Sequence, residues 1–211
     1  MTLYFMRHGE TDYNRDHRLQ GRLDKELNGN GIAQAETAAR DFRDKGIEFD
    51  RVISSPLSRA YDTAAVVSGK DPSEIEKEDR IIEISFGDME GKTVEELDDN
   101  MRNFFVDPVN YKAPLNGEGY EDLIKRIGHF LEEMAKSDKD GNVLVLSHGA
   151  ALHAMYMLIN GDSLDNFWNA TVGNCGYFTA EPENGILRIT GQNFREENKT
   201  IPKSTFLKNS K

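Results

Sequence analysis

Apolar positions recur along this chain in two rhythms. Leu3-Tyr4-Phe5-Met6, Arg51-Val52-Ile53-Ser54 and Val143-Leu144-Val145-Leu146 are short runs that read as strands. The last is apolar throughout, as a strand covered on both faces of a parallel sheet requires. Cys175 to Ala180 and Ile186 to Thr190 read as two more strands, and the Asn184-Gly185 dipeptide between them predicts a hairpin. Elsewhere the spacing is helical. Ile32, Ala35, Ala39 and Phe42 mark one helix, stopped by Gly46. Leu57, Ala60, Ala64 and Val67 mark a second, with Ser55 as its cap, Pro56 in its first turn and Gly69 at its end. Thr93-Val94-Glu95-Glu96 has the form of a capping box ahead of Leu97 and Met101. Tyr120, Leu123, Ile124, Ile127, Leu131 and Met134 make the clearest amphipathic stripe, and a last helix is expected from about Ala150 to Ile159, before Gly161.

Strands alternating with helices predict an α/β fold with a largely parallel sheet, and the terminal hairpin adds antiparallel strands at one side. No composition break divides the chain, so residues 1–211 are expected to form one domain. The irregular stretch 85–120, with Pro108 and Pro114, is expected to form a lid over one end of the sheet. Arg102, Tyr111, Lys112 and Tyr120 lie around it, as exposed residues or as substrate contacts. Residues 192–211 read as a polar, Lys-rich tail.

Composition narrows the field. The formal net charge of −11 disfavours nucleic acid and anionic membranes as partners. A single cysteine, Cys175, allows no intrachain disulfide and no cysteine cluster around a metal; it reads as a small apolar residue in a strand, suited to a reducing compartment. No apolar run approaches the roughly 20 residues of a membrane helix, and no signal-peptide layout opens the chain, so a cytoplasmic protein is expected.

Candidate chemistry gathers where strands end. Arg7-His8-Gly9-Glu10-Thr11 follows the first strand, Ser54-Ser55-Pro56-Leu57-Ser58-Arg59 the second, and Ser147-His148-Gly149 the buried one. In open α/β sheets ligands bind outside the carboxyl ends of the strands, so Arg7, His8, Arg59 and His148 are expected at one edge. That set suits a phosphate monoester. Two arginines clamp the dianion with forked donors, helped by a backbone N–H at the start of the Pro56 helix. A neutral His8 attacks phosphorus while its other nitrogen is held by a backbone carbonyl. His148 donates to the phosphoryl oxygens. Glu83 is the candidate proton donor to the leaving group, because a carboxyl enclosed beside a dianion keeps its proton near neutral pH. Asp88 and Glu90 are its nearest competitors. His17 and His129 have no assigned role, and His153 could support His148 from behind.

Over residues 2 to 190 the chain resembles the histidine phosphatase superfamily, in its phosphoglycerate mutase-like branch. The resemblance rests on Arg7 to Thr11 with Asn14, on Leu19-Gln20-Gly21 and Asp24, on Leu27, Gly31 and Gln34-Ala35, on Ser54 to Arg59, on Glu83 with Phe86-Gly87 and Glu90-Gly91, and on Ser147-His148-Gly149. It implies a three-layer α/β/α sandwich with a mixed, mostly parallel central sheet. It implies His8 as the phosphorylated nucleophile and Arg7, Arg59 and His148 as the phosphate pocket, with Gly149 beside His148. Glu83 would be the acid, and Asn14, Gln20 and Gly21 would line the pocket. No metal or other cofactor is implied, and the partner is a small phosphorylated substrate; a homodimer is compatible. The mutases carry Arg-His-Tyr after the acid and a longer insertion with paired arginines. Here Ile84-Ser85-Phe86 follows Glu83, and His148 comes only 65 positions later, so the phosphatase branch fits better. Asn116-Gly117-Glu118-Gly119 looks like that branch's Gly-Glu-Ser motif with Gly119 in place of Ser. A mutase using the same phosphohistidine is the alternative reading, and a non-catalytic phosphate-binding module a weaker one.

Overall fold

A computed structural model describes residues 1–195. Its first strand, β1 (Thr2–Arg7), shows how the layers arise. Side chains alternate along a strand, so Leu3 and Phe5 enter one apolar cluster while Tyr4 and Met6 enter another on the opposite face. With β2 (Arg51–Ser54), β3 (Glu76–Lys77), β4 (Asn142–Ser147), β5 (Tyr177–Glu183) and β6 (Ile186–Asn193) it forms one sheet in the order β3-β2-β4-β1-β5-β6. β3, β2, β4 and β1 run parallel, while β5 and β6 pair antiparallel at one side. Val143 to Leu146 in β4 are all buried, as a central strand covered on both faces must be.

The helices are α1 (Asp12–Arg15), α2 (Gly29–Asp44), α3 (Ser58–Ser68), α4 (Asp99–Val106), α5 (Tyr120–Ala135) and α6 (Gly149–Asn160). Ala35, Ala38 and Phe42 of α2 and Ala60, Ala64 and Val67 of α3 pack on one face of the sheet, with Tyr4, Met6, Leu144 and Leu146. Leu123, Ile127 and Phe130 of α5 and Ala151, Leu152 and Met155 of α6 pack on the other. The result is the expected α/β/α sandwich. Phe5 and Phe178 stack across β1 and β5 with centroids 5.0 Å apart, both fully buried. Truncating such a side chain to alanine costs about 3–5 kcal/mol. The hairpin falls where Asn184-Gly185 predicted it, both residues having positive φ (53° and 79°).

The structure corrects several boundaries. Helix α3 begins at Ser58, and Ser55 does not cap it. Pro56 precedes the helix rather than lying in its first turn, and the carboxylate of Asp24 takes the capping role, accepting from the Ser58 N–H at 2.8 Å and its hydroxyl at 2.7 Å. That N–H is therefore spent on Asp24 and not offered to a ligand. Cys175 is not in a strand: its φ of 54° places it in a left-handed turn before β5. β6 continues to Asn193 because Gln192 and Asn193 pair with Phe178 and Tyr177, so the tail begins later than expected; its residues from 196 on lie outside the described ones. The Thr93–Glu96 capping box is present but closes a single 3-10 turn. Asp98 caps α4 by accepting from the Met101 N–H at 2.7 Å.

The 85–120 stretch is anchored by aromatic packing. Phe104 stacks on Tyr120 (5.0 Å, 12°) and meets Phe86, Phe105, Tyr111 and Trp168 edge-on. Tyr111 and Tyr120 are thus core residues, and the Tyr120 hydroxyl donates to the Phe104 carbonyl at 2.6 Å. Among the described residues no helix is long and apolar enough to cross a membrane.

Candidate active site

Strand register brings the two histidines together. Arg7 pairs with Ser147 across β1 and β4, so His8 and His148 leave the sheet side by side. The His8 N–H donates to the Ser147 carbonyl at 3.1 Å, and the imidazole centroids lie 5.1 Å apart. Arg59, on the first turn of α3, reaches the same point. All three side chains are almost wholly buried.

His8 Nδ1 lies 2.7 Å from the Gly9 carbonyl. A carbonyl only accepts, so Nδ1 carries the proton and Nε2 keeps its lone pair, 3.3 Å from Arg59 Nε. Burial, then the charges of Arg59 and Arg7, hold the His8 pKa well below the usual histidine range. His148 is held down in the same way, by burial and then by Arg59. Its Nε2 meets the Ser55 hydroxyl at 2.7 Å, while Nδ1 has no hydrogen-bond partner among the described residues. Ser55 Oγ accepts from the Leu57 N–H at 3.4 Å, which leaves its proton for His148 Nε2. Nδ1 of the neutral ring then carries a proton to donate.

Arg59 is braced on all sides. Nη1 donates to the Leu23 carbonyl at 3.0 Å and Nη2 to the Gly21 carbonyl at 2.8 Å. Donor–acceptor matching turns the Gln20 amide oxygen toward Arg59, where it accepts from Nε and Nη1 at 2.8 Å each, and its nitrogen donates to Thr11 Oγ1 at 2.6 Å. Burial pushes the Arg59 pKa down to about 10, so it stays charged at neutral pH. Gly21 has a φ of 53°, and a Cβ there would stand 2.2 Å from Glu90 Oε1, so only glycine lets the loop pass. Arg7 Nη1 donates to the Val172 carbonyl at 2.9 Å.

Glu83 lies at the start of α6. One of its oxygens accepts from the Ile84 and Ala151 N–H groups (3.0 and 3.1 Å) and the other from Ala150 (3.2 Å). These donors fix the orientation of the carboxyl group at the head of α6. Glu83 and Arg7 both lie beside Gly149: a Cβ there would lie 3.6 Å from Glu83 Oε2 and 4.0 Å from Arg7 Cζ. The competitors are committed elsewhere. Glu90 Oε1 accepts from the Arg22 and Phe86 N–H groups, and Asp88 accepts from the Asn116 amide.

Arg7, His8, Arg59, Glu83, His148 and Gly149 thus converge. Asn14, expected to line the pocket, is half-buried, and its Oδ1 accepts from the N–H and hydroxyl of Thr11. Gln20 works on Arg59. His153 sits behind the site with Nδ1 against the Gly149 carbonyl at 2.7 Å. Sequence reasoning missed Ser55 as a partner of His148, because Pro56 made it look like a cap. It also missed Asn174, whose amide donates to the His8 carbonyl at 2.8 Å from 166 positions away, with no local signal. Burial pushes the Cys175 thiol up to about 12, so it is inert as a nucleophile.

Two guanidinium groups, one carboxylate and two neutral imidazoles make the pocket net positive in a chain of net charge −11, a field that concentrates anions. Such a pocket at the ends of parallel strands belongs to a phosphate-handling α/β protein. The chain belongs to the histidine phosphatase superfamily (branch 1), whose family model matches residues 3–195. It is 33% identical over 211 residues to phosphoserine phosphatase 1 of Hydrogenobacter thermophilus, covering 94% of this chain and 99% of that one. Among solved structures it is similar to phosphoserine phosphatase from Entamoeba histolytica in complex with 3-phosphoglyceric acid (TM-score 0.79, 29% identity, 91% and 96% of the two chains). It is likewise similar to Bacillus stearothermophilus YhfR (TM-score 0.82, 28% identity, 90% and 95%). Family and relatives together support a phosphatase.

Proposed function

We propose that the protein hydrolyses small phosphomonoesters, phosphoserine first among them, through a phosphohistidine on His8. The observation that carries this reading is the 2.7 Å contact of His8 Nδ1 with the Gly9 carbonyl, which leaves an unprotonated Nε2 in a buried pocket between arginines. In the first step the Nε2 lone pair forms the N–P bond as the P–O bond to the leaving group breaks. Arg7 and Arg59 hold the equatorial oxygens, His148 Nδ1 donates to one of them, and the Gly9 carbonyl stabilises the cationic ring. Glu83 gives its proton to the departing alkoxide. In the second step its carboxylate takes a proton from water, which attacks phosphorus, and the N–P bond breaks to return neutral His8. Phosphoserine as substrate rests on the named activity of the relatives.

Phosphate release is to be measured with excess EDTA, across a panel that includes phosphoserine, 3-phosphoglycerate and nitrophenyl phosphate. Wild-type release should be robust, and His8→Ala should lose about 10⁴-fold or more, the scale expected for removing a nucleophile. Equal rates for both would sink the reading. Interconversion of phosphoglycerates without release would point to a mutase.

A further inference from the structure

We infer that Glu118, Arg126 and Arg22 form a clamp that positions Glu83, which gives the Asn116-Gly117-Glu118-Gly119 motif its task; this rests on Glu83 being the proton donor. The segment carrying Glu83 has no ladder to hold it. It leaves a 3-10 turn (Asp79–Ile81) and runs irregularly to Phe86. Its carbonyls are nonetheless satisfied almost one after another by groups from elsewhere. Arg126 Nη1, from α5, takes the Arg80 and Ile82 carbonyls at 2.7 and 2.6 Å. The Ser147 hydroxyl takes Ile81 at 2.8 Å, Arg22 Nε takes Glu83 at 3.1 Å, and the Glu118 N–H takes Ser85 at 2.8 Å.

One carboxylate ties the two arginines. Glu118 accepts a bidentate pair from Arg126, at 2.7 and 2.8 Å, and a further bond from Arg22 Nη2 at 3.1 Å. The Arg126–Glu118 pair is largely buried, at 16% and 11% side-chain exposure, so solvent screens it little. A planar fork fixed at one end by a carboxylate has a fixed direction at the other. Arg126 therefore aims at two carbonyls just before Glu83, and Arg22 aims at the Glu83 carbonyl itself. Proton transfer to a leaving group needs the donor within about 2.6–3.2 Å of it, so a slackened segment loses acid catalysis before it loses phosphate binding. These are positioning residues; nothing in the geometry puts them on the reacting atoms.

The test compares Glu118→Gln, Arg126→Lys and Arg22→Gln with Glu83→Gln on two esters. One is nitrophenyl phosphate, whose leaving group needs little protonation. The other is phosphoserine or 3-phosphoglycerate, whichever the wild type turns over faster. Glu83→Gln should slow the alkyl ester by about 10²–10⁴-fold and nitrophenyl phosphate far less. Glu118→Gln and Arg126→Lys should slow the alkyl ester about tenfold with less than about a twofold effect on nitrophenyl phosphate, as a partial loss of that same acid catalysis. Glu118→Gln added to Glu83→Gln should cost nothing more on the alkyl ester. Arg126→Lys keeps the charge but not the fork, and the exposed Arg22→Gln removes the bonds to the Glu83 carbonyl and to Glu118 while leaving the Arg126–Glu118 pair in place, so a folding defect in one variant leaves the other to decide. Equal slowing of both esters, or full additivity with Glu83→Gln, would overturn the clamp while leaving the acid reading intact. A Glu83→Gln variant without ester discrimination would remove the acid reading, and the clamp with it.

Discussion

The proposed phosphate pocket and the segment bearing Glu83 face each other, and they are held in place by different means. Arg7, His8 and His148 sit at the ends of β1 and β4, where the ladder between parallel strands sets every position to within one register step. Residues 80 to 83 take their positions from side chains of α5, of the Arg22 loop and of β4, which cap their carbonyls. A ladder distributes its load over many backbone bonds. A network of this kind concentrates it on a few charged side chains, each of which becomes a single point of failure. The two regions should therefore respond to substitution in different currencies: loss of phosphate capture on one side, loss of leaving-group protonation on the other.

The largest effect that sharpens this contrast is expected at Arg59. Arg59→Lys keeps a charge but loses the fork that spans Gly21, Leu23 and Gln20. It should lower kcat/KM by about 10²-fold, to the same extent for alkyl and nitrophenyl esters, since both carry the same phosphoryl group. A strong dependence on the leaving group would break the division between the regions. Ser55→Ala should do less. It leaves His148 Nε2 without its 2.7 Å partner and frees the ring to place its proton there, so kcat should fall about tenfold, again independently of the leaving group. Steady-state kinetics on the two esters measure both variants, and Ser55→Thr should restore most of the activity.

The smallest effect is on stability. His8 and His148 are neutral in the folded protein well below the usual range, whereas the unfolded chain protonates them near pH 6.5. Below about pH 6.5 the unfolded state therefore binds more protons. Stability should fall with pH by up to about 1.4 kcal/mol per unit for each histidine, and neither contributes a slope above that point. Urea unfolding at a series of pH values measures it. His148→Gln should flatten the slope by about one histidine's share, and an unchanged slope would contradict the burial assigned to His148.

Much of this molecule is legible in local residue order. The continuous run Val143–Leu146, the stripe from Tyr120 to Met134 and the Asn184-Gly185 hairpin each follow from a short-range rule about burial or backbone conformation. The positions of His8 and His148 at strand ends follow from the same rules. The α/β class, and the edge at which Arg7, His8, Arg59 and His148 meet, were determined by sequence alone, because periodicity and turn chemistry act over a few residues. Tertiary structure decided what long-range partners do. Asp24 rather than Ser55 caps α3, Ser55 turns to His148, Gln20 braces Arg59, Asn174 secures the His8 carbonyl, and Glu118 joins Arg22 to Arg126 across 104 positions of chain. A polar side chain can satisfy many acceptors. Which one it meets depends on where the packed layers bring distant backbone to within about 3 Å, and no local pattern encodes that distance.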